Sequence, residues 1–361
     1  MDVAVLGAGA TGRGIARCCA AAGHAVTLHD DDANVVMDGI DAVEAGLDDA
    51  VAAGDLAADA RESAVGSIEA TTGLEGAVAD ADIVIETTDA ERDERRTLFA
   101  DVEEAVDEGT LVATSGAAVS VTAVAAGLRN PGRAVGLHFV DPPTAPLVEV
   151  VVAEQTTEPT REAAVSFVDG LGRESIVVRD TPGFAATRLG LALAVEAMTM
   201  VDERTAGVEA IDRATTAGHD HPVGPLAAAD ERGLDTTLAA LEHLQGALGE
   251  RFAPPPVLRA KVEAGDLGRK TGEGFYVWEG GEPVEPSEPD PTPDLRAESP
   301  VAPEDQPAPG EPDGGGSGGD GPNGGGLDGG GPNDDEPDGD FDGGPDGNFD
   351  DFGGPTGPGD G

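Results

Sequence analysis

The sequence predicts an α/β protein in three parts. These are an N-terminal doubly wound parallel sheet over residues 1–180, an all-helical domain over 181–280, and a disordered acidic tail over 281–361. Three observations carry this. Short apolar runs alternate with amphipathic ones through the first half, as in repeated βα units. After Asp180-Thr181-Pro182-Gly183 the apolar spacing becomes wholly helical. From Gly281 the chain is mostly Gly, Pro, Asp and Glu, with Arg296 its one basic residue, too little apolar surface to offset chain entropy.

Residues 2–6 (DVAVL) read as a buried strand, and Gly7-Ala8-Gly9-Ala10-Thr11-Gly12 follows before a helix over 13–22. This is G-x-G-x-x-G in the setting it requires. The first glycine makes the tight turn, the second admits a pyrophosphate to the backbone, and the third lets helix and strand pack closely. The motif therefore nominates Gly7, Gly9, Ala10, Thr11 and Gly12 as cofactor contacts in a Rossmann-type sheet. A second strand over 25–29 ends at Asp30, whose carboxylate accepts hydrogen bonds from an adenosine ribose and repels a 2′-phosphate, favouring NAD over NADP.

Residues 32–70 are too long for a simple crossover and read as two amphipathic helices, broken near Gly54-Asp55 and ending near Gly66, a hairpin projecting from the sheet edge. Strands follow at 82–86 and 111–114, separated by a helix over 90–106; a loop at 115–119 and a helix over 121–128 come next. The run 173–179 (RESIVVR) reads as the last strand of the sheet. One long helix over 184–204 opens the second domain. Helical spacing continues at 212–216, 226–229, 238–246 and 257–264, and a tight-turn segment from Gly268 to Tyr276 closes the ordered part.

The stretch 136–151, GLHFVDPPTAPLVEVV, places His138 and Glu149 at the ends of a turn between two strands, 135–139 and 147–152. Asp141-Pro142-Pro143 forces the chain out of the first strand. Two strand ends joined by a rigid prolyl loop aim two side chains at one point. A carboxylate on one imidazole nitrogen fixes the tautomer of the other and stabilises the imidazolium formed on proton uptake. The plain alternative is a core histidine beside a strand-edge glutamate.

The chain carries 71 Asp plus Glu against 21 Lys plus Arg, a formal net charge of −50, with Lys261 and Lys270 as its lysines. Such a surface excludes direct binding to nucleic acid or an anionic membrane in dilute buffer. We read it as the cytoplasmic protein of an extreme halophile, its carboxylates kept hydrated where the Debye length falls to about 3 Å at 1 M salt. With a strand read from Asp2 onward we expect no export leader, and no apolar run approaches the ~20 residues of a membrane span. Cys18 and Cys19 are adjacent in a helix, where neighbouring side chains diverge, and read as small packing residues. No metal-ligand pattern stands out; the tail's acidic repeats lack EF-hand spacing and flanking helices.

Over residues 1–280 the chain resembles the 3-hydroxyacyl-CoA dehydrogenase family. The motifs are GAGATGRGIA (7–16), IETTDAERDERRTLF (85–99), GLHFVDPPTAPLVEVV (136–151), DTPGFAATRL (180–189), HPVGPLAAADERGLDTT (221–237) and GRKTGEGFYVW (268–278), in family order. The resemblance implies NAD-dependent oxidation of an L-3-hydroxyacyl-CoA to the 3-ketoacyl-CoA, with His138 as the base and Glu149 orienting it. It places Arg95 on the nicotinamide side, Ser115 among the cofactor contacts, Ala118 and Thr187 at substrate positions, and a homodimer through the helical domain. There are departures. S-N-T-S-S has become Ser115-Gly116-Ala117-Ala118, one residue shorter; Thr187 replaces an asparagine and Ala90 a glutamate; Glu149 sits one residue nearer to His138 than is usual. Each lost hydrogen bond to a developing charge costs about 1–3 kcal/mol. The hairpin that reaches CoA in relatives is acidic here, with Arg61 its only basic residue.

Two other readings remain at this point: a dehydrogenase of a non-CoA 3-hydroxy acid, and a catalytically weak NAD-binding paralogue with the tail as docking arm. The charge balance itself makes a prediction. Dialysis from molar KCl into dilute buffer unmasks carboxylate repulsion and should abolish the far-UV circular dichroism of the folded chain; a spectrum unchanged by desalting contradicts the halophile reading.

Overall fold

In the computed structural model the described residues are 1–116, 119–142 and 145–288, all within the unit Met1–Ser299. The sheet begins with β1 (Asp2–Leu6), β2 (Ala25–His29), β3 (Ile68–Thr71), β4 (Ile83–Glu86), β5 (Leu111–Thr114) and β6 (Ala134–Phe139), all parallel, and ends with β7 (Leu147–Val152) and β8 (Glu174–Arg179). Its order is β3-β2-β1-β4-β5-β6-β7-β8, the doubly wound arrangement that leaves a crevice at the strand C-termini where β1 meets β4. Strands covered on both faces read as near-continuous apolar runs, and β4 and β5 are buried at every residue, the polar Glu86 and Thr114 at their ends included.

One face is covered by α1 (Ala10–Ala21), α2 (Ala33–Ala53), α3 (Ala58–Gly66) and α7 (Glu158–Gly170), whose Ile15, Leu47, Ala64 and Phe167 share a core with Val5 and Leu28. The other is covered by α4 (Leu74–Val78), α5 (Arg92–Ala105) and α6 (Val121–Ala125), through Val78, Phe99, Val102 and Val124. The helical domain comprises α8 (Ala186–Asp202), α9 (Val208–Gly218), α10 (Pro225–Arg232), α11 (Leu234–Leu248) and α12 (Pro256–Ala264), around Leu191, Met198, Leu226 and Leu241.

Four expectations need correction. The sheet is mixed rather than parallel: β7 runs antiparallel to β6, because the intervening loop is shorter than any crossover helix. β8 then returns parallel to β7 through α7, a helix the sequence reading left unassigned. The hairpin's helices end at Gly66 as read, but 68–71 of the assigned insertion pair with β2 as edge strand β3; nor does α2 stand clear of the sheet, for Val43 and Leu47 are buried in the core they share with Leu28. Finally, residues 276–286 form a hairpin of β9 (Tyr276–Glu279) and β10 (Glu282–Pro286), so the segment from 281, assigned to the tail, enters the fold. Gly280 and Gly281 both take positive φ, 60° and 90°, the pair a two-residue type I′ turn demands. The tail from 289 to 361 lies outside the described residues. Cys18 and Cys19 are free and buried, and burial pushes both thiols up, as fits packing residues. Among the described residues no helix is long and apolar enough to cross a membrane.

Buried carboxylates fasten β9 to the helical domain. Asp230 accepts from the backbone N–H of Phe275 and Tyr276, both at 2.9 Å, and from Trp278 Nε1 at 3.0 Å. Asp212 accepts from the N–H of Leu226 and Ala227 at the start of α10 and from the Tyr276 hydroxyl. Burial raises the pKa of each carboxyl, and these hydrogen bonds oppose it. Asp230→Ala strands three donors at about 1–3 kcal/mol each. We expect a loss of at least about 3 kcal/mol in denaturant melts, together with a changed Trp278 emission; an unshifted midpoint contradicts this account of the hairpin.

Candidate active site

The antiparallel register pairs His138 on β6 directly with Glu149 on β7, so both side chains leave the same face of the ladder. His138 Nδ1 lies 2.6 Å from Glu149 Oε2. The Glu149 carboxylate is fully buried, and its other oxygen accepts from the backbone N–H of Ala185 at 2.8 Å and Ala186 at 3.0 Å. Burial alone pushes this carboxyl up, but the hydrogen bonds from His138 and from the Ala186 and Ala185 N–H groups outweigh it, and its pKa lies below the ordinary value. An ionised carboxylate only accepts, so Nδ1 carries the proton and Nε2 of the neutral ring holds the lone pair.

The donors at Ala185 and Ala186 are delivered by a sharp turn. Gly183 and Phe184 take positive φ, 72° and 47°, and the second is rare for an aromatic residue. This conformation costs about 1–3 kcal/mol. It points the first N–H groups of α8 at Glu149, where the helix dipole favours a negative charge, and sets the Phe184 ring 5.4 Å from the His138 ring.

The glycine-rich turn has the shape its motif foretold. Gly7 has φ 106°, and a Cβ on Gly12 would lie 1.8 Å from the Gly7 carbonyl oxygen. A Cβ on Gly9 would meet nothing within 4 Å, so the loop is open on that side, and α1 starts there with no side-chain cap on its N–H groups. Asp30, at the end of β2, accepts from the Ala8 N–H at 3.0 Å and lines a cavity of about 440 Å³ with Gly7. A second cavity, of about 600 Å³, is lined by Ala10, Thr11, Arg95, Ser115, His138 and Thr187 among others, and Thr88 borders both. The Ser115 hydroxyl is buried without a hydrogen-bond partner among the described residues. Two neighbouring cavities that share Thr88, with an uncapped helix end, a carboxylate in one and an orphan hydroxyl in the other, fit an extended dinucleotide.

Ala118 lies outside the described residues. Thr187 borders the larger cavity, half-buried, on the first turn of α8. Arg95 also borders it, but its guanidinium is largely committed: Nε donates to the Ala90 carbonyl, Nη1 to Glu86 and Thr114, and Nη2 to the Thr88 carbonyl. Glu86, fully buried, also accepts from the Thr88 N–H and the Thr114 hydroxyl. Arg95 therefore clamps the turn after β4. Sequence reasoning missed Gly116: a Cβ there would stand 2.3 Å from Arg95 Nη1, so the guanidinium fills the space that a side chain at 116 would need. It also missed Arg232 and His243, which border the larger cavity from the helical domain. Nothing in the charged run Asp230-Glu231-Arg232 marked Arg232 out; for His243 the signal was its helical spacing from Thr236, Ala239 and Ala240.

Comparison with known proteins agrees with this geometry. The family model described as 3-hydroxyacyl-CoA dehydrogenase, NAD binding domain, matches residues 2–181, and that of the C-terminal domain matches residues 183–278. The chain is 37% identical over 280 residues to a probable 3-hydroxybutyryl-CoA dehydrogenase of Deinococcus radiodurans, a match covering 77% of this chain and 100% of that protein. It is 37% identical over 284 residues to a 3-hydroxybutyryl-CoA dehydrogenase of Bradyrhizobium diazoefficiens, covering 78% and 97%. Among solved structures it is similar to (S)-3-hydroxybutyryl-CoA dehydrogenase from Ralstonia eutropha, with TM-score 0.72 and 34% identity, over 77% of this chain and 99% of that one.

The contact between residues 95 and 116 yields a test. Gly116→Ala displaces the guanidinium from Glu86 and should cost about 3–5 kcal/mol, the range for breaking a buried pair. Adding Arg95→Lys, which removes the crowding nitrogens, should recover part of that loss in thermal melts. Full additivity of the two changes would show that they do not touch.

Proposed function

The chain belongs to the 3-hydroxyacyl-CoA dehydrogenase family, whose members are NAD-dependent oxidoreductases acting on CH–OH groups, and from that premise we propose that it oxidises an L-3-hydroxyacyl-CoA to the 3-ketoacyl-CoA. The observation that carries the reading is the 2.6 Å contact from His138 Nδ1 to a buried, ionised Glu149, at the edge of the cavity that also meets the glycine-rich turn.

NAD, when bound, supplies the hydride acceptor. The Gly7–Gly12 turn and the start of α1 would hold its pyrophosphate, Asp30 its adenosine ribose, and Ser115 would border its nicotinamide half. His138 Nε2 takes the proton of the 3-hydroxyl as the electron pair of the C3–H bond departs, leaving a carbonyl at C3 and an imidazolium. Glu149 stabilises that imidazolium through the Nδ1–H bond, and the ring then returns its proton to solvent. Phe184, packed beside the imidazole, limits its rotation and covers it from water. Relatives named 3-hydroxybutyryl-CoA dehydrogenases support a short acyl chain. The outer face of α8, where Leu189 is 72% exposed, is the surface through which we expect the chain to dimerise.

One observation favours a second reading, a free 3-hydroxy acid as substrate. Arg61, the hairpin's single basic residue, is paired with Asp48 at 2.8 Å, which leaves this acidic hairpin no uncommitted cation for a CoA phosphate.

His138→Gln keeps a polar side chain of similar reach and removes the base. In molar KCl, NADH formation from 3-hydroxybutyryl-CoA should fall about 10²- to 10⁴-fold while calorimetric NAD binding persists. Undiminished turnover in that variant removes His138 from the chemistry. Turnover of 3-hydroxybutyrate but not of its thioester would select the second reading.

A further inference from the structure

Arg232 ends α10 and borders the same 600 Å³ cavity as His138. Its situation is the opposite of that of Arg95, the other arginine of the cavity wall. Among the described residues no hydrogen bond or ion pair engages the Arg232 guanidinium. The carboxylate that acts on it is Asp141, three residues beyond His138, while the neighbouring Glu231 feels Arg269. Arg232 is exposed where it borders the cavity, and its high intrinsic basicity keeps the guanidinium charged.

The position of the charge is set by helix packing. Arg232 Nη2 lies 3.7 Å from where a Cβ on Gly190 would stand, so the guanidinium rests on α8 at a residue with no side chain to cover it. Gly190 shares a helical face with Thr187, three residues earlier, which also borders the cavity. It is roughly 6 Å along α8 from Ala186, whose N–H holds Glu149. On the facing helix, Thr236, Ala239 and Ala240 form a mostly apolar wall towards Leu244, which packs on Gly183 at the His138 end. A substrate lying along this wall with its hydroxyl at His138 meets apolar contacts first and the guanidinium after them.

We propose that Arg232 is the anion receptor of this cleft, its planar fork taking the two oxygens of a carboxylate or phosphate carried by the substrate. The inference rests on the dehydrogenase reading and extends it to substrate class. The anion has two sources, a carboxylate at the far end of the acyl chain or a phosphate of the CoA carrier.

Three probes separate them: 3-hydroxybutyryl-pantetheine, with neither anion; 3-hydroxybutyryl-CoA, with phosphates alone; and 3-hydroxyadipyl-CoA, with phosphates and a distal carboxylate. Wild type, Arg232→Gln and Arg232→Lys are assayed at fixed KCl. We expect Arg232→Gln to raise KM about tenfold or more with little change in kcat, and Arg232→Lys to restore part of it. A penalty confined to the adipyl ester assigns the acyl carboxylate, and one shared by both CoA esters but not by the pantetheine ester assigns the phosphate. An equal effect on all three probes, including none, overturns the proposal. Should the wild type turn over no probe, the dehydrogenase reading fails by itself. Calorimetric binding of the same three probes then decides the role of Arg232 by the same pattern.

Discussion

The structure turns on the two oxygens of one buried carboxylate. Glu149 gives Oε2 to the His138 imidazole and Oε1 to the first N–H groups of α8. The interaction that orients the His138 imidazole is thus also the one that seats the helical domain on the sheet. Three hydrogen bonds to a charged group, each worth about 1.5–3 kcal/mol, hold the carboxylate ionised despite complete burial. The linkage has a definite sign. Because the folded pKa of Glu149 lies below its unfolded value, its contribution to stability is complete above the ordinary carboxylate range and is lost as pH falls through the folded value. Acid therefore loosens the domain junction and the imidazole together.

The same junction explains the one strained aromatic residue of the site. A left-handed Phe184 persists only where its surroundings overdetermine it. Here the ring is buried with Val121, Val151 and Ala153, and Glu149 captures the two N–H groups that follow. Asp180, four residues before Phe184, accepts from the Ser120 hydroxyl and the Thr122 N–H at 2.7 Å each, tying the linker to the start of α6. The strain is offset on both sides of the turn, and its product is a ring that limits the motion of the imidazole.

Much of this was legible before any coordinates. The glycine turn, Asp30, the strands bearing His138 and Glu149, and the change at Asp180 are local patterns, and local patterns survive in sequence. What was not legible is relational. Whether β7 runs parallel or antiparallel depends on the reach of a seven-residue loop, and the cross-strand pairing of His138 with Glu149 follows from that direction. The space at Gly116 has meaning only once Arg95 is seen to occupy it. The β9–β10 hairpin was hidden because Glu and Pro resemble tail composition; the Gly280-Gly281 turn and the buried partners of Tyr276 and Trp278 outweighed that bias. Thr187 and Arg232 lie far apart in sequence, and only the packing of α10 on α8 brings them to one cavity.

The charge balance sets the terms for every cation inside. With 21 basic residues against 71 acidic ones, an arginine or lysine at the surface can find a carboxylate partner at little positional cost, and such pairs are worth less than about 1 kcal/mol. Interior cations are held differently. Arg95 meets Glu86 and two backbone carbonyls; Arg133 meets the Asp107 carbonyl and Glu103; Lys261 donates to the Gly274 carbonyl and stands over the Phe275 ring. Salt screens the first class strongly and the second hardly at all. Bulk salt therefore acts on the surface, while the geometry around His138 is set by contacts from which mobile ions are excluded. Arg232 belongs to neither class: it is exposed and borders the His138 cavity, yet among the described residues no ion pair or hydrogen bond joins it to a carboxylate.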